Sequence, residues 1–188
     1  MRTILAAMAL LLATHAPARA DGFIDQVRFG GAWANPEFVD TRHVEADQVA
    51  VAGEVLFRPL EPGYTDGIEP GFLRSLLTPR PHLGLFGNLS DNGTDFVYAG
   101  LTWHYDLGSV VFLETSFGLA LNNGSRNGSP NRAALGSNIT FRESIGIGFN
   151  LTDRVDAIVV LEHLSHAELF DERNRGLTHL GVKVGYSF

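Results

Sequence analysis

Eight stretches of this chain carry apolar residues at every second position, and this alternation limits its fold more than any other feature. They run over 23–34, 47–59, 80–89, 95–107, 109–122, 136–150, 154–167 and 177–188. Successive side chains of a strand point to opposite faces, so a period of two gives each stretch one apolar face. In "YAGLTWHYDL", Ala99, Leu101, Trp103, Tyr105 and Leu107 share a face, opposed to Tyr98, Gly100, Thr102, His104 and Asp106. In the last stretch, Thr178, Leu180, Val182, Val184, Tyr186 and Phe188 oppose His179, Gly181, Lys183, Gly185 and Ser187. Most stretches match or exceed the roughly 9–11 residues that a tilted strand needs to cross a bilayer. The expected fold is all-β: an eight-stranded antiparallel transmembrane barrel, apolar outside and small or polar within. A soluble lipocalin-like barrel would turn the same apolar faces inward, and periodicity alone does not separate the two.

The chain ends favour the membrane. "MRTILAAMALLLATHAPARA" has the parts of a secretory signal peptide: Arg2, a short apolar core from Ile4 to Ala13, and the small-x-small site Ala18-Arg19-Ala20. Residues 1–20 are therefore expected to be removed, leaving a single barrel domain over 21–188. The chain closes on a strand with a terminal Phe188, as bacterial outer-membrane proteins do, and Trp33, Trp103, Tyr105 and Tyr186 fall near strand ends. There is no cysteine, so neither disulfides nor thiolate chemistry enter. A net charge of −7 argues against nucleic acid as a partner. The implied location is the bacterial outer membrane, and a homodimer is compatible with the sequence.

With both termini in the periplasm, odd strands run outward. The connections near 107–109 and Thr152–Asp153 are short, as periplasmic turns are, whereas "NNGSRNGSPNRAALG" is long and polar, as external loops are. The stretch 60–79 is a long periplasmic connection whose "FLRSLL" suits one helical turn. Arg28, Glu54, Arg58, His104, Glu114 and Lys183 are expected to fill the lumen as a paired network, which leaves little room for a pore. One residue breaks the pattern: Glu143 falls on the lipid face of its strand, where a carboxylate is costly. A β-bulge at Arg142–Ser144, or a protonated and hydrogen-bonded Glu143, is expected there in preference to a catalytic role.

"VVLEHLSHAEL" carries the chemistry. On a strand, Val159, Leu161, His163 and Ser165 share the apolar face, and Glu162, Leu164 and His166 the other. A histidine and a serine, the pair that nucleophilic catalysis needs, thus face lipid near the external end of strand seven. A serine hydroxyl is a weak nucleophile until an imidazole accepts its proton. Taken alone, His-x-Ser on a strand is a common surface pairing. His163 and His166 face opposite sides and so cannot share a metal; His166 and His179 both face the lumen, where a chance pair outweighs a metal site.

These residues resemble the C-terminal signature of the lipid A 3-O-deacylases of the PagL type (acyloxyacyl hydrolase family). "HLSH" matches its His-x-Ser-Asn strand, "NRGL" its Asn-x-Gly-Leu loop, and the end from Gly181 to Phe188 its Gly-x-x-x-Gly-Tyr-x-Phe strand. "YAGLTWHYDLG" and "ALGSNITFRESIGIGF" are similar to the same family, so the resemblance spans roughly the last 110 residues. It implies an outer-membrane esterase without metal or other cofactor, acting on lipopolysaccharide in the outer leaflet through a lipid-facing Ser-His-acid triad. By position, Ser165 is the nucleophile, His163 the general base and Asn174 the loop asparagine. His166 replaces the asparagine that serves the oxyanion, and could donate through its ring. The orienting acid falls at Thr178, which carries no charge. Glu168, Asp171 and Glu172 are nearby loop acids, and Glu172 is the first choice as substitute. The competing function is a small barrel with a structural or membrane-integrity role, for which His163 and Ser165 would be dispensable.

Overall fold

The last strand decides which face is inside. Val182, Val184 and Tyr186 are 53%, 51% and 39% exposed, while Gly181, Lys183 and Gly185 are buried. The apolar face therefore points away from the barrel, and the lipocalin-like alternative falls. This arrangement comes from a computed structural model that describes residues 22–34, 48–128, 132–169 and 172–188. The expected signal segment, the connection 35–47 and Asp171 lie outside the described residues.

Each alternating stretch forms a strand: β1 (Ile24–Ala34), β2 (Gln48–Phe57), β3 (Arg80–Asn88), β4 (Phe96–Asp106), β5 (Val111–Asn122), β6 (Ile139–Asn150), β7 (Val155–Ser165) and β8 (Leu177–Ser187). Every strand pairs antiparallel with the next, and β1 with β8, so the barrel closes without an exposed edge. Closure brings the termini to one end, where the Phe188 amide donates to the Asp25 carbonyl at 3.1 Å. The short β4–β5 and β6–β7 connections share that end; the β5–β6 and β7–β8 loops lie at the other. The connection after β2 does hold a helix, α1 (Phe72–Leu77), which packs on the outward side of β4. There Trp103 Nε1 donates to the Leu76 carbonyl at 3.0 Å, and the Phe72 ring meets Tyr105 edge-on.

The lumen is filled by paired charges. Arg28 grips Glu114 with two hydrogen bonds of 2.6 and 2.8 Å, Lys183 reaches Glu162 and Glu54, and Arg142 bonds Glu162 at 2.7 Å. The Arg142 guanidinium also lies 3.9 Å from the centre of the Tyr98 ring. That ring fits because Gly84 faces it: a Cβ there would sit 2.2 Å from Tyr98 Cζ. Burying so many ions is tolerable only because each has a counter-charge and hydrogen bonds. Arg58 corrects the sequence reading, since it lies beyond the end of β2 and is exposed.

Candidate functional site on the lipid-facing surface

β7 is flanked by β6 and β8, and the register of the three strands builds the site. His163 stands directly opposite Glu143 of β6 on one side and Thr178 of β8 on the other. All three side chains belong to the outward set, because their neighbours Arg142, Glu162 and His179 are buried in the lumen. The expected bulge is absent. Pairing runs unbroken through Arg142, Glu143 and Ser144 on both edges of β6, and Glu143 stays on the outer face, exposed. Sequence reasoning set Glu143 aside because it is a charge on a greasy face; the cross-strand register that gives it a partner cannot be read from one strand.

His163 is held from two sides. Its Nδ1 lies 2.9 Å from Thr178 Oγ1. Gly176, at φ +65°, closes over the ring: a Cβ there would come within 2.7 Å of His163 Cε1 and 2.9 Å of Nε2. Both the left-handed backbone and the close approach require glycine. Thr178 is only 8% exposed, outward-facing yet covered.

Ser165 ends β7 on the same face, opposite Phe141, whose ring stacks 5.7 Å from Phe117. Two residues along a strand separate the Cα atoms of His163 and Ser165 by about 7 Å, within side-chain reach. Among the described residues no hydrogen bond joins Ser165 Oγ to His163. Such contacts often tighten only when substrate arrives. The surface around the serine is apolar, with Phe117, Leu119 and Ile139 about half exposed.

The remaining candidates sit elsewhere. His166 is fully buried on the lumen side; its Nε2 meets the Arg173 carbonyl at 3.3 Å and its amide donates to Asn174 Oδ1 at 3.3 Å. The ring thus braces the loop and faces away from Ser165, which corrects its expected service to the oxyanion. Asn174 is the other half of that brace. Glu172 is exposed and lines a cleft between the β5–β6 and β7–β8 loops, with no bond to His163 among the described residues. His179 packs against Phe86 at 4.5 Å, and no metal-binding cluster occurs among the described residues. One feature escaped sequence reasoning altogether. One residue beyond the serine strand, Ala167 and Glu168 adopt φ of 50° and 60°, closed by Leu169 N–H to the His166 carbonyl at 2.9 Å. Two successive positive φ values define a turn that normally selects Asn and Gly, neither of which is present.

Comparison with known proteins places this geometry. Among solved structures, the outer membrane enzyme PagL superposes with a TM-score of 0.60 at 16% identity, covering 87% of this chain and 99% of its own. The N-terminal barrel of Pseudomonas aeruginosa OprF gives 0.53 at 12% identity, covering 87% and 98%, and Neisserial surface protein A gives 0.52 at 16%, covering 91% and 100%. At such identities these likenesses establish the eight-stranded barrel alone. No curated protein matches the chain. A family profile, described as lipid A 3-O-deacylase (PagL), matches residues 77–187, which takes in β3 to β8 and every outward residue of the site. The chain therefore belongs to the lipid A 3-O-deacylase (PagL) family of outer-membrane barrels.

Proposed function

We propose that this protein is an outer-membrane esterase that removes the ester-linked 3-O-acyl chain of lipid A, with Ser165 as nucleophile and His163 as general base. The observation that carries the reading is the placement of both side chains on the lipid-facing surface, level with exposed phenylalanine and leucine. A substrate whose acyl chains already lie in the bilayer reaches Ser165 sideways, without leaving the membrane. The export signal at residues 1–20 and a mature start near Asp21 belong to the same reading.

In the reaction, His163 takes the Ser165 proton as Oγ attacks the ester carbonyl, forming a tetrahedral intermediate. Collapse expels the sugar 3-oxygen, which receives that proton from the imidazolium. Water, deprotonated in turn by His163, then cleaves the acyl-enzyme and releases a fatty acid. Thr178 fixes the ring through Nδ1 but supplies no charge. We assign the counter-charge to Glu143, because directly paired residues on one sheet face hold their Cβ atoms about 4.5–5.5 Å apart. In a low-dielectric surface a carboxylate at that range favours the imidazolium. The oxyanion falls to the amides of Ala167 and Glu168, which have no partner among the described residues and follow the nucleophile after one intervening residue, His166.

The test is a mass spectrum of lipid A from cells producing this protein, beside cells producing Ser165→Ala. Loss of one 3-linked acyl chain in the first alone is expected. Unaltered lipid A in both would leave the competing structural barrel, whose support is the neutral Thr178.

A further inference from the structure

The lumen pairs its cations with carboxylates, whereas Arg132 and Arg175 at one loop end have no carboxylate partner among the described residues. At the barrel end opposite the termini, the β5–β6 and β7–β8 loops enclose a cleft of about 590 Å³ lined by Arg132, Arg173, Arg175, Glu172 and Asn174 among others. Among the described residues, three arginines and one glutamate line it. Arg132 is held by neutral acceptors only: its Nη2 reaches the Asn123 carbonyl at 2.9 Å, with weaker contacts to Asn123 Oδ1 and the Gly93 carbonyl. Its Nε is buried without a partner. Arg175 makes no side-chain bond or ion pair among the described residues, while its amide ties the two loops together through the Ala134 carbonyl at 3.1 Å. Arg173 is steadied by Asn127 Oδ1 at 2.6 Å. The guanidinium groups of Arg132, held by neutral acceptors, and of Arg175 keep both their charge and their forked geometry for an outside anion.

The cleft is tied to the reaction centre. His166, next to Ser165, bonds the Arg173 carbonyl, and Arg175 precedes by one residue the Gly176 that covers His163. We propose that this cleft is a subsite for a phosphate group of the lipid A headgroup, with Arg132 and Arg175 as its principal ligands. This rests on the lipid A reading above. A glycolipid whose 3-ester reaches Ser165 keeps its acyl chains along the barrel wall and its phosphorylated sugars at the loop end, where the arginines are. A phosphate there would fix which ester meets the serine.

The test uses full-length Ser165→Ala protein in detergent micelles, so that binding is measured apart from hydrolysis. Phosphorylated lipid A should bind at least about tenfold more tightly than its dephosphorylated form, as expected for hydrogen bonds to a charged group. The double variant Arg132→Gln/Arg175→Gln should lose that preference, and Arg132→Lys/Arg175→Lys should keep part of it. Heat-modifiable gel mobility checks that each barrel is folded. Inorganic phosphate should compete only at concentrations far above that of the lipid; competition at equal concentration would make this a free-anion site and overturn the lipid assignment. Equal affinity of the parent protein for both lipids, or an unchanged preference in a folded Gln variant, would also overturn it. If the active protein releases no 3-O-acyl chain but the arginine-dependent preference holds, the esterase reading falls and the phosphate subsite stands.

Discussion

The same three strands carry two polar clusters on opposite faces, one residue apart in sequence on β6 and β7 and five apart on β8. Inside the barrel, Arg142 of β6, Glu162 of β7 and Lys183 of β8 form a closed set of charge-assisted hydrogen bonds. Outside, Glu143, His163 and Thr178 occupy the same strands in register and share one hydrogen bond between a ring nitrogen and a hydroxyl. With Glu54 of β2 beside Lys183, the two buried cations of the inner cluster meet two carboxylates, which is what burial demands. The outer cluster places an imidazole and a carboxylate, two residues along β7 from the Ser165 hydroxyl, on a surface that packing alone would fill with leucine. Groups that stability does not require in that position are the ones to suspect of chemistry.

The sharpest way to break this contrast is to remove the outer groups one at a time. Ser165→Ala or His163→Ala should lower deacylation by on the order of 10⁴-fold or more. Neither should shift the urea midpoint much, because surface changes of this kind usually stay within about 0.5 kcal/mol. Retained activity in either variant, assayed on purified lipid A, would remove the nucleophilic reading.

The inner cluster should respond in the opposite way. Glu162→Ala strands Arg142 and Lys183 without their shared carboxylate, and breaking a buried ion pair from one side costs about 3–5 kcal/mol. Denaturant titration of the folded barrel should show that loss. A shift near zero would mean that water or Glu54 compensates, and the lumen would then be less dry than its packing implies.

Between these extremes lies Glu143. If it supplies the counter-charge for His163, Glu143→Gln should cut kcat by about tenfold or more while leaving KM nearly unchanged. Thr178→Glu in that background should restore part of the rate from the other side of the ring, since Thr178 already touches Nδ1. Glu172→Gln should have little effect on kcat. A large loss there instead would return the acid to the loop.

The difference between the two faces also explains what the sequence could reveal. Strand positions followed from the period of two, because a one-residue slip would turn every outward valine of β8 into the lumen. The outward placement of His163 and Ser165 came with it. Their neighbours did not. Which residue of β6 stands beside His163 depends on the stagger between strands, and stagger is set by barrel closure, not by any one stretch. Glu143 therefore looked like a defect in its own strand and becomes a partner only once β6 and β7 are aligned. His166 was misjudged for a related reason: β7 stops at Ser165, two residues before the expected end, and the turn that follows commits the His166 ring to the Arg173 carbonyl. Arg58 was counted into the lumen by extending the second stretch two residues past Phe57, to Pro59.

That turn yields the smallest predicted effect. Ala167 and Glu168 hold φ values of 50° and 60°, a conformation in which a Cβ crowds the following carbonyl at a cost of roughly 1–2 kcal/mol per residue. Nothing in the packing of these two exposed side chains offsets that cost. Replacing them with the residues such a turn favours, Ala167→Asn and Glu168→Gly, should stabilise the barrel by about 1 kcal/mol, part of the relief being returned as a more flexible unfolded chain. Activity separates two accounts of the strain. If the turn exists to aim its amides at the oxyanion, the variant keeps the same backbone and the same donors. Its kcat should then stay within about twofold, because the geometry and not the strain performs the work. A variant that is more stable yet loses tenfold in kcat would instead tie catalysis to the Ala167 and Glu168 side chains, and the oxyanion would need a donor other than the main chain.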